Sequence, residues 1–493
     1  MSEQGATQVA DTVVRGGIVV DGAGMSRRDV VIGDGVITDV VAPGYAPEAR
    51  EVIDASGRYV LPGIIDAHLH PVYTDRIDTI SASAALGGTT TIVGFIGAIK
   101  AWGGTGTIVD AVQAFVEEGE ATSMIDFAAH GSICRDDLEL LSESIPQLVE
   151  MGVTSFKCFM AYRKRGMMLD DPELLRVLEI VAASGGLFQV HAENGNLLDH
   201  LQDGFIAQGL TSPEYHSRSC PNLAETEAVM RIATLAATVG CPLYLVHLSA
   251  RQSLDLLRLW RTWGSPSPLH TETCIHYLTL LNEELRTRGT LAKVGPPLRE
   301  QEDIDALWTA VADGLIEVVS TDFAGQAIAK KEPIQGDVFK APSGLPGIGN
   351  LLSIVYDAGV NTGRITLPKL VSVLCEAPAR IFGMYPRKGT LSPGSDADLV
   401  VFDPSATHVI RAAEQRLKTD YSMWEGRECV GAPTLVMQRG AVLVSDGELK
   451  ATPGQGVFLP RDRHNQNDTR STANGHPRGQ GRRSPAGDHA GVV

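Results

Sequence analysis

The chain has 493 residues, 43% of them hydrophobic and 20% charged, with a formal charge of −17. That length predicts more than one domain, and the acidic balance argues against nucleic acid or an anionic membrane as the main partner. Seven cysteines stand apart at 134, 158, 220, 241, 274, 375 and 429 with no C-x-x-C pair, so a disulfide framework and a cysteine-rich zinc module are not expected. The N-terminal MSEQGATQVADTVV is polar and no run of about 18 apolar residues occurs, which points to a cytoplasmic chain without a membrane span.

The chain opens on short strands broken by turn signals: TVVRGGIVV, DVVIGDGVITDVV and EVIDASGRYV, with Gly-Gly at 16–17 and Asp-Gly at 21–22 and 34–35. Residues 1–58 therefore read as one part of a small antiparallel β-domain. The same texture returns in ADLVVFDP and TLVMQRGAVLVSDGEL, so residues 385–460 are expected to complete that domain. Between them, short apolar runs alternate with segments of helical period such as DPELLRVLEIVAASGG and AETEAVMRIATLAATVG. Strands alternating with helices predict a parallel α/β architecture over 59–384, as a closed barrel or a doubly wound sheet. No G-x-G-x-x-G follows the early strands and no G-x-x-x-x-G-K-[ST] appears, which removes support for dinucleotide and P-loop readings. From 461 to 493 the Arg-, Gly-, Asn- and Pro-rich composition predicts a disordered tail.

Five apolar runs end at or near a potential metal ligand: YVLPGIIDAHLH (His68, His70), GVTSFKCFM (Lys157), GLFQVHAEN (His191), CPLYLVHLS (His247) and IEVVSTDFAG (Asp322). In a (β/α)8 barrel the C-terminal strand ends converge on one face, where residues distant in sequence meet. His68 and His70 alternate along a strand and can face one ion together. Singly, a histidine after a strand is often a hydrogen-bonded core residue, and Asp322 could cap a helix. Four such placements together favour a metal site. Four histidines and a carboxylate suit zinc, and could hold two ions given a bridging ligand. Lys157, whose ammonium is costly in an apolar strand, is the candidate bridge.

These stretches resemble the dihydropyrimidinase/hydantoinase family of the amidohydrolase superfamily, as do ALGGTTTI, ETCIHYLTL, GPPLR, YPRKGTLSPGSDADLVVFDP and DYSMWEGRECVGAP, which run in order over roughly residues 10–460. The resemblance implies a (β/α)8 barrel with a composite β-sandwich domain, and two zinc ions bridged by a lysine carboxylated with carbon dioxide. His68, His70 and Asp322 would then hold one ion, His191 and His247 the other, and carboxylated Lys157 both. Tyr162 looks like the family's tyrosine that donates to the substrate carbonyl as it becomes an oxyanion, a role suited to where charge grows. Backbone groups at Gly295 and Ser343 would bind the substrate ring. Gly295 stands where many bacterial hydantoinases have Ser, and Ser343 where Asn is usual. Residues 71–86 form a segment shorter than the family's substrate-gating loop, so preference for ring substituents departs from the family's pattern.

The resemblance thus implies hydrolytic opening of a cyclic ureide or imide, with metals acidifying a bridging water and Asp322 serving as base and then acid. Allantoinase, dihydroorotase and imidase are the nearest alternatives, although dihydroorotate needs a cationic anchor that the sequence does not assign. A non-catalytic, interaction-only relative is disfavoured because all six ligands are present. The partner is then a small cyclic amide, with a homo-oligomer, and a tetramer in particular, expected from the family. Tyr421, Met423 and Trp424 in 419–433 have the composition of an interface anchor.

Overall fold

The computed structural model describes residues 9–264, 266–334 and 336–464. Its first five strands are β1 (Ala10–Val20), β2 (Met25–Gly33), β3 (Val36–Val41), β4 (Ala49–Asp54) and β5 (Tyr59–Pro62). Eight follow with helices between them: β6 (Ile64–Leu69), β7 (Thr89–Ile96), β8 (Asp126–Ser132), β9 (Ser155–Phe159), β10 (Leu187–His191), β11 (Leu243–Leu245), β12 (Leu269–Cys274) and β13 (Val318–Ser320). The last four are β14 (Leu399–Val409), β15 (Glu428–Gln438), β16 (Ala441–Ser445) and β17 (Glu448–Leu449).

Strands β6 to β13 pair in sequence order, every neighbour parallel. The ends of this sheet meet where Leu69 bridges Phe323 in parallel and the His70 N–H donates to the Phe323 carbonyl at 2.7 Å. Below that seam the Asp66 carboxylate accepts from the Thr321 hydroxyl at 2.5 Å. The closed architecture explains the unbroken apolar runs. Every residue of β6 to β11 is buried, because one face meets the barrel interior and the other the surrounding helices. Helix Asp171–Ala183 is typical of that outer layer. Asp170 and Glu173 form its capping box, and Leu174, Val177, Leu178 and Val181 make the buried stripe, each worth about 1.5–3 kcal/mol.

The other strands form a nine-stranded sheet from both chain ends, ordered β17-β16-β15-β14-β5-β1-β2-β3 with β4 also on β1. A register shift between Val14 and Gly17 lets β1 pair with β4 before it and β5 after it. Gly16 there has φ 76°, a conformation that glycine adopts without a Cβ penalty. The sheet curls over a core that includes Val14, Ile32, Val60, Leu399 and Met437. Lys388 ties it to the barrel, its Nζ lying 2.6 Å from Asp126, 2.6 Å from Asp398 and 2.9 Å from Asp396. Burial opposes that charge, but the three carboxylates outweigh it and hold the ammonium above the usual lysine range.

Three expectations need correcting. Residues 59–62 belong to the small sheet, since β5 pairs with β1 and β14; the barrel starts at Ile64. The chain also stays ordered past 460. Leu459 N–H donates to the Phe127 carbonyl at 2.8 Å and Arg461 N–H to Gly152 at 3.0 Å. The Arg461 side chain is buried and donates to Ser155 Oγ at 2.9 Å and to the Ala129 carbonyl, closing the barrel floor. The expectation of a disordered tail beyond 464 lies outside the described residues. Finally, Tyr421, Met423 and Trp424 are buried within their own chain, where the Trp424 indole N–H donates to Thr279 at 3.0 Å, so they are not free to anchor an interface.

Candidate active site

The barrel brings the ligand candidates to the C-terminal ends of their strands. Lys157 is on β9, His191 ends β10, and His247 and Asp322 lie two residues past β11 and β13. His70, Lys157, Tyr162, His191, His247, Gly295, Asp322 and Ser343 line one pocket, and His68 is buried beneath its floor. All nine predicted site residues therefore converge.

His68 Nε2 is 3.0 Å and His70 Nε2 is 3.1 Å from Asp322 Oδ1. These three residues offer ligand atoms within 4.8 Å of one another. Lys157 Nζ lies 3.2 Å from His68 Nε2, and His191 Nδ1 lies 3.1 Å from His247 Nε2. Lone pairs so close, in groups so deeply buried, form a set of imidazole and carboxylate donors that fits a borderline divalent ion. The local backbone is held unusually as well: Tyr162, His247 and Asp322 have φ of 68°, 42° and 45°. Such left-handed conformations are uncommon for side-chain-bearing residues and concentrate where a site imposes its geometry.

The electrostatics divide the residues by role. Burial brings Lys157 down to about 8, against the opposing pull of Asp322 and Glu272, so its neutral amine is accessible. Burial lowers His70 to about 4 and keeps His247 well below the usual range, leaving neutral rings able to bind metal. Burial would raise Asp322, but the His68 charge and hydrogen bonds from His68 and His70 hold it well below the carboxylate range, as an anion. Burial, reinforced by Glu193, pushes the Tyr162 phenol well above its usual value, so it remains an O–H donor. A Cβ added at Gly295 would lie 2.5 Å from that hydroxyl, so a side chain there would displace it.

Residues 59–443 match the amidohydrolase family, more than half of the chain. A D-hydantoinase of Ralstonia pickettii is 38% identical over 471 residues, spanning 92% of this chain and 100% of that protein. A D-phenylhydantoinase of Escherichia coli is 38% identical over 461 residues, spanning 91% of this chain and 98% of that protein. The chain is an amidohydrolase of the hydantoinase/dihydropyrimidinase family. Its fold agrees. A solved dihydropyrimidinase from Brevibacillus agri superposes with a TM-score of 0.87 at 33% identity, covering 92% of this chain and 99% of that one. An L-hydantoinase from Arthrobacter aurescens gives 0.86 at 33%, covering 92% and 100%.

In this amidohydrolase the structure adds residues that the sequence reading passes over. Glu272 lies behind His68, its Oε1 2.7 Å from Nδ1, and it also accepts from the His247 N–H and the Tyr244 hydroxyl, each at 2.9 Å. That carboxylate fixes the His68 ring with Nε2 facing the site. Glu193 stands in the same relation to His191, 2.7 Å from its Nε2. Glu193 carries a legible signal, two residues after a candidate ligand, whereas Glu272 lies in the polar stretch LHTETC of β12 and has none. Tyr73, Trp102 and Arg165 also line the pocket and come from the connections after β6, β7 and β9, without any such pattern.

Proposed function

We propose that this chain opens a cyclic ureide or imide, such as a hydantoin or dihydropyrimidine, at two divalent metal ions, with zinc favoured. The observation that carries this reading is the convergence of His70, Lys157, His191, His247 and Asp322 in one pocket above His68. His68, His70 and Asp322 would hold one ion and His191 and His247 the other, with Lys157, carboxylated on its neutral amine, joining them. When bound, the ions supply a Lewis acid for the carbonyl and make the attacking water more acidic. Asp322, an anion at rest, takes one proton as the water oxygen bonds to the carbonyl carbon. Tyr162 O–H donates to the carbonyl oxygen as charge grows on it, a contribution that exists mainly in the transition state. When the C–N bond breaks, Asp322 returns its proton to the leaving nitrogen. Backbone groups at Gly295 and Ser343 hold the ring amide. A cytoplasmic homotetramer belongs to the same reading, and light scattering tests the assembly.

The decisive experiment is turnover of hydantoin and dihydrouracil by zinc-loaded enzyme, beside Asp322→Asn. The variant keeps an oxygen donor but loses the base, so a fall of at least about 10²-fold in kcat is expected. Wild-type turnover in Asp322→Asn would remove the aspartate from its role.

A further inference from the structure

The pocket contains a cation that neither the fold nor the proposed chemistry requires. The turn Arg163–Arg165 follows Tyr162 and carries three consecutive positive charges. The first two are engaged with the helix Gly195–Ala207: Arg163 Nη2 donates to Asn196 Oδ1 at 2.9 Å and Lys164 Nζ to Asp203 Oδ1 at 2.5 Å. Arg165 differs. Among the described residues no carboxylate pairs with it; its guanidinium stands 5.4 Å from the Tyr162 ring centre and lines the pocket with Lys157, His191, His247 and Asp322. Its field also reaches Tyr73, where burial raises the phenol to about 12 against the opposing pull of the Arg165 charge. The rest of that wall is aromatic: Trp102 meets Phe159 with ring centres 6.2 Å apart and Tyr73 with centres 6.3 Å apart.

From this placement we infer that Arg165 is a specificity-determining anchor for an anionic substituent, and that the preferred substrates are cyclic ureides with a carboxylate-bearing arm. The inference rests on the cyclic-amide reading of the same site. An arginine without a carboxylate partner gives a carboxylate two N–H donors in fork geometry. In a chain of charge −17 an anionic substrate is repelled at long range, and a cation beside the arm offsets that repulsion locally. The aromatic wall accommodates the methylene stem of such an arm. Opening 5-(2-carboxyethyl)hydantoin breaks the C4–N3 bond, places the water oxygen on C4 and a proton on N3, and yields an N-carbamoyl amino acid with a second carboxylate.

The test compares 5-(2-carboxyethyl)hydantoin with its neutral primary amide, an isostere differing in charge, on zinc-loaded wild type, Arg165→Met, Arg165→Lys and Arg165→Glu. Arg165 is exposed and makes no side-chain hydrogen bond among the described residues, so the variants are expected to fold. Wild type should favour the acid over the amide by about tenfold or more in kcat/KM, with the difference mostly in KM and reduced by salt. Arg165→Met should erase that ratio, with the loss falling on the acid far more than on the amide, Arg165→Lys should keep part of it, and Arg165→Glu should invert it. If hydantoin is opened but the acid-to-amide ratio is the same in wild type and Arg165→Met, the anchor is overturned and the cyclic-amide reading survives. If no cyclic amide is opened, that underlying reading falls and the anchor with it.

Discussion

Replacing Glu272 by glutamine isolates what the carboxylate behind His68 contributes to the proposed metal site. The carboxylate accepts from His68 Nδ1 at 2.7 Å, from the His247 N–H at 2.9 Å and from the Tyr244 hydroxyl at 2.9 Å, and is fully buried. Glutamine keeps the shape and one acceptor oxygen, which can still serve His68 and His247. Its amide N–H2 then faces Tyr244, whose hydroxyl can rotate to accept. Only the charge behind His68 is lost, so the folding cost should be small, about 1 kcal/mol. The metal should be affected more, because partners behind a ligating histidine typically contribute 10–100-fold in affinity, or about 1.4–2.7 kcal/mol. Leucine would instead leave three buried donors unpaired at about 1–3 kcal/mol each, enough to threaten folding. Competition against a chelator of known affinity measures the metal, and thermal unfolding of the apoprotein measures the fold. An apoprotein within about 1 kcal/mol of wild type that binds zinc 10–100-fold more weakly is expected. Unchanged zinc affinity in Glu272→Gln would refute the idea that the carboxylate tunes His68.

Lys157→Ala should lose most bound metal and activity, and a short carboxylic acid added with bicarbonate should restore part of both; a fully active variant ends the bridging role. Truncation after Pro460 removes Arg461 from Ser155 and the Ala129 carbonyl and should lower Tm by several degrees, whereas truncation after His464 should not; equal melting of the two chains would count against the plug. Lys293 is buried and donates to the Val338 and Ala341 carbonyls at 2.7 and 2.6 Å, and burial brings it down to about 8 from an unfolded value near 10.5. Between those values the unfolded chain binds the extra proton, so stability should rise with pH across that window by up to about 3 kcal/mol. The full penalty is present below about 8. Denaturant titrations of wild type and Lys293→Met over this range should diverge in slope, and parallel curves would rule the lysine out as the source.

The sequence alone determined what depends on local pattern. Apolar runs at strand length, alternating with helices and ending at or near His, Lys or Asp, specified a parallel α/β sheet with candidate ligands towards its strand ends, and the resemblance chose the barrel, because a parallel strand buried on both faces leaves mainly its end for polar chemistry. Capping at Asp170 and Glu173 fixed a helix start for the same local reason. Tertiary structure decided whatever depends on a partner distant in the chain. Glu272 meets His68 across 204 residues, and Lys388 meets Asp126 across 262. Tyr59 reads as the lead-in to a barrel strand, yet its segment joins the small sheet because β1 and β14 arrive on either side of it. Composition made the segment after 460 a solvated tail, but Arg461 enters the barrel floor because Ser155 and Ala129 present acceptors there. Tyr421 and Trp424 looked suited to another subunit, and the barrel's own loops cover them first. Arg165 shows the limit most clearly. Its neighbours Arg163 and Lys164 are equally cationic in sequence, and only the position of the helix Gly195–Ala207 engages those two, through Asn196 and Asp203, while Arg165 lines the pocket.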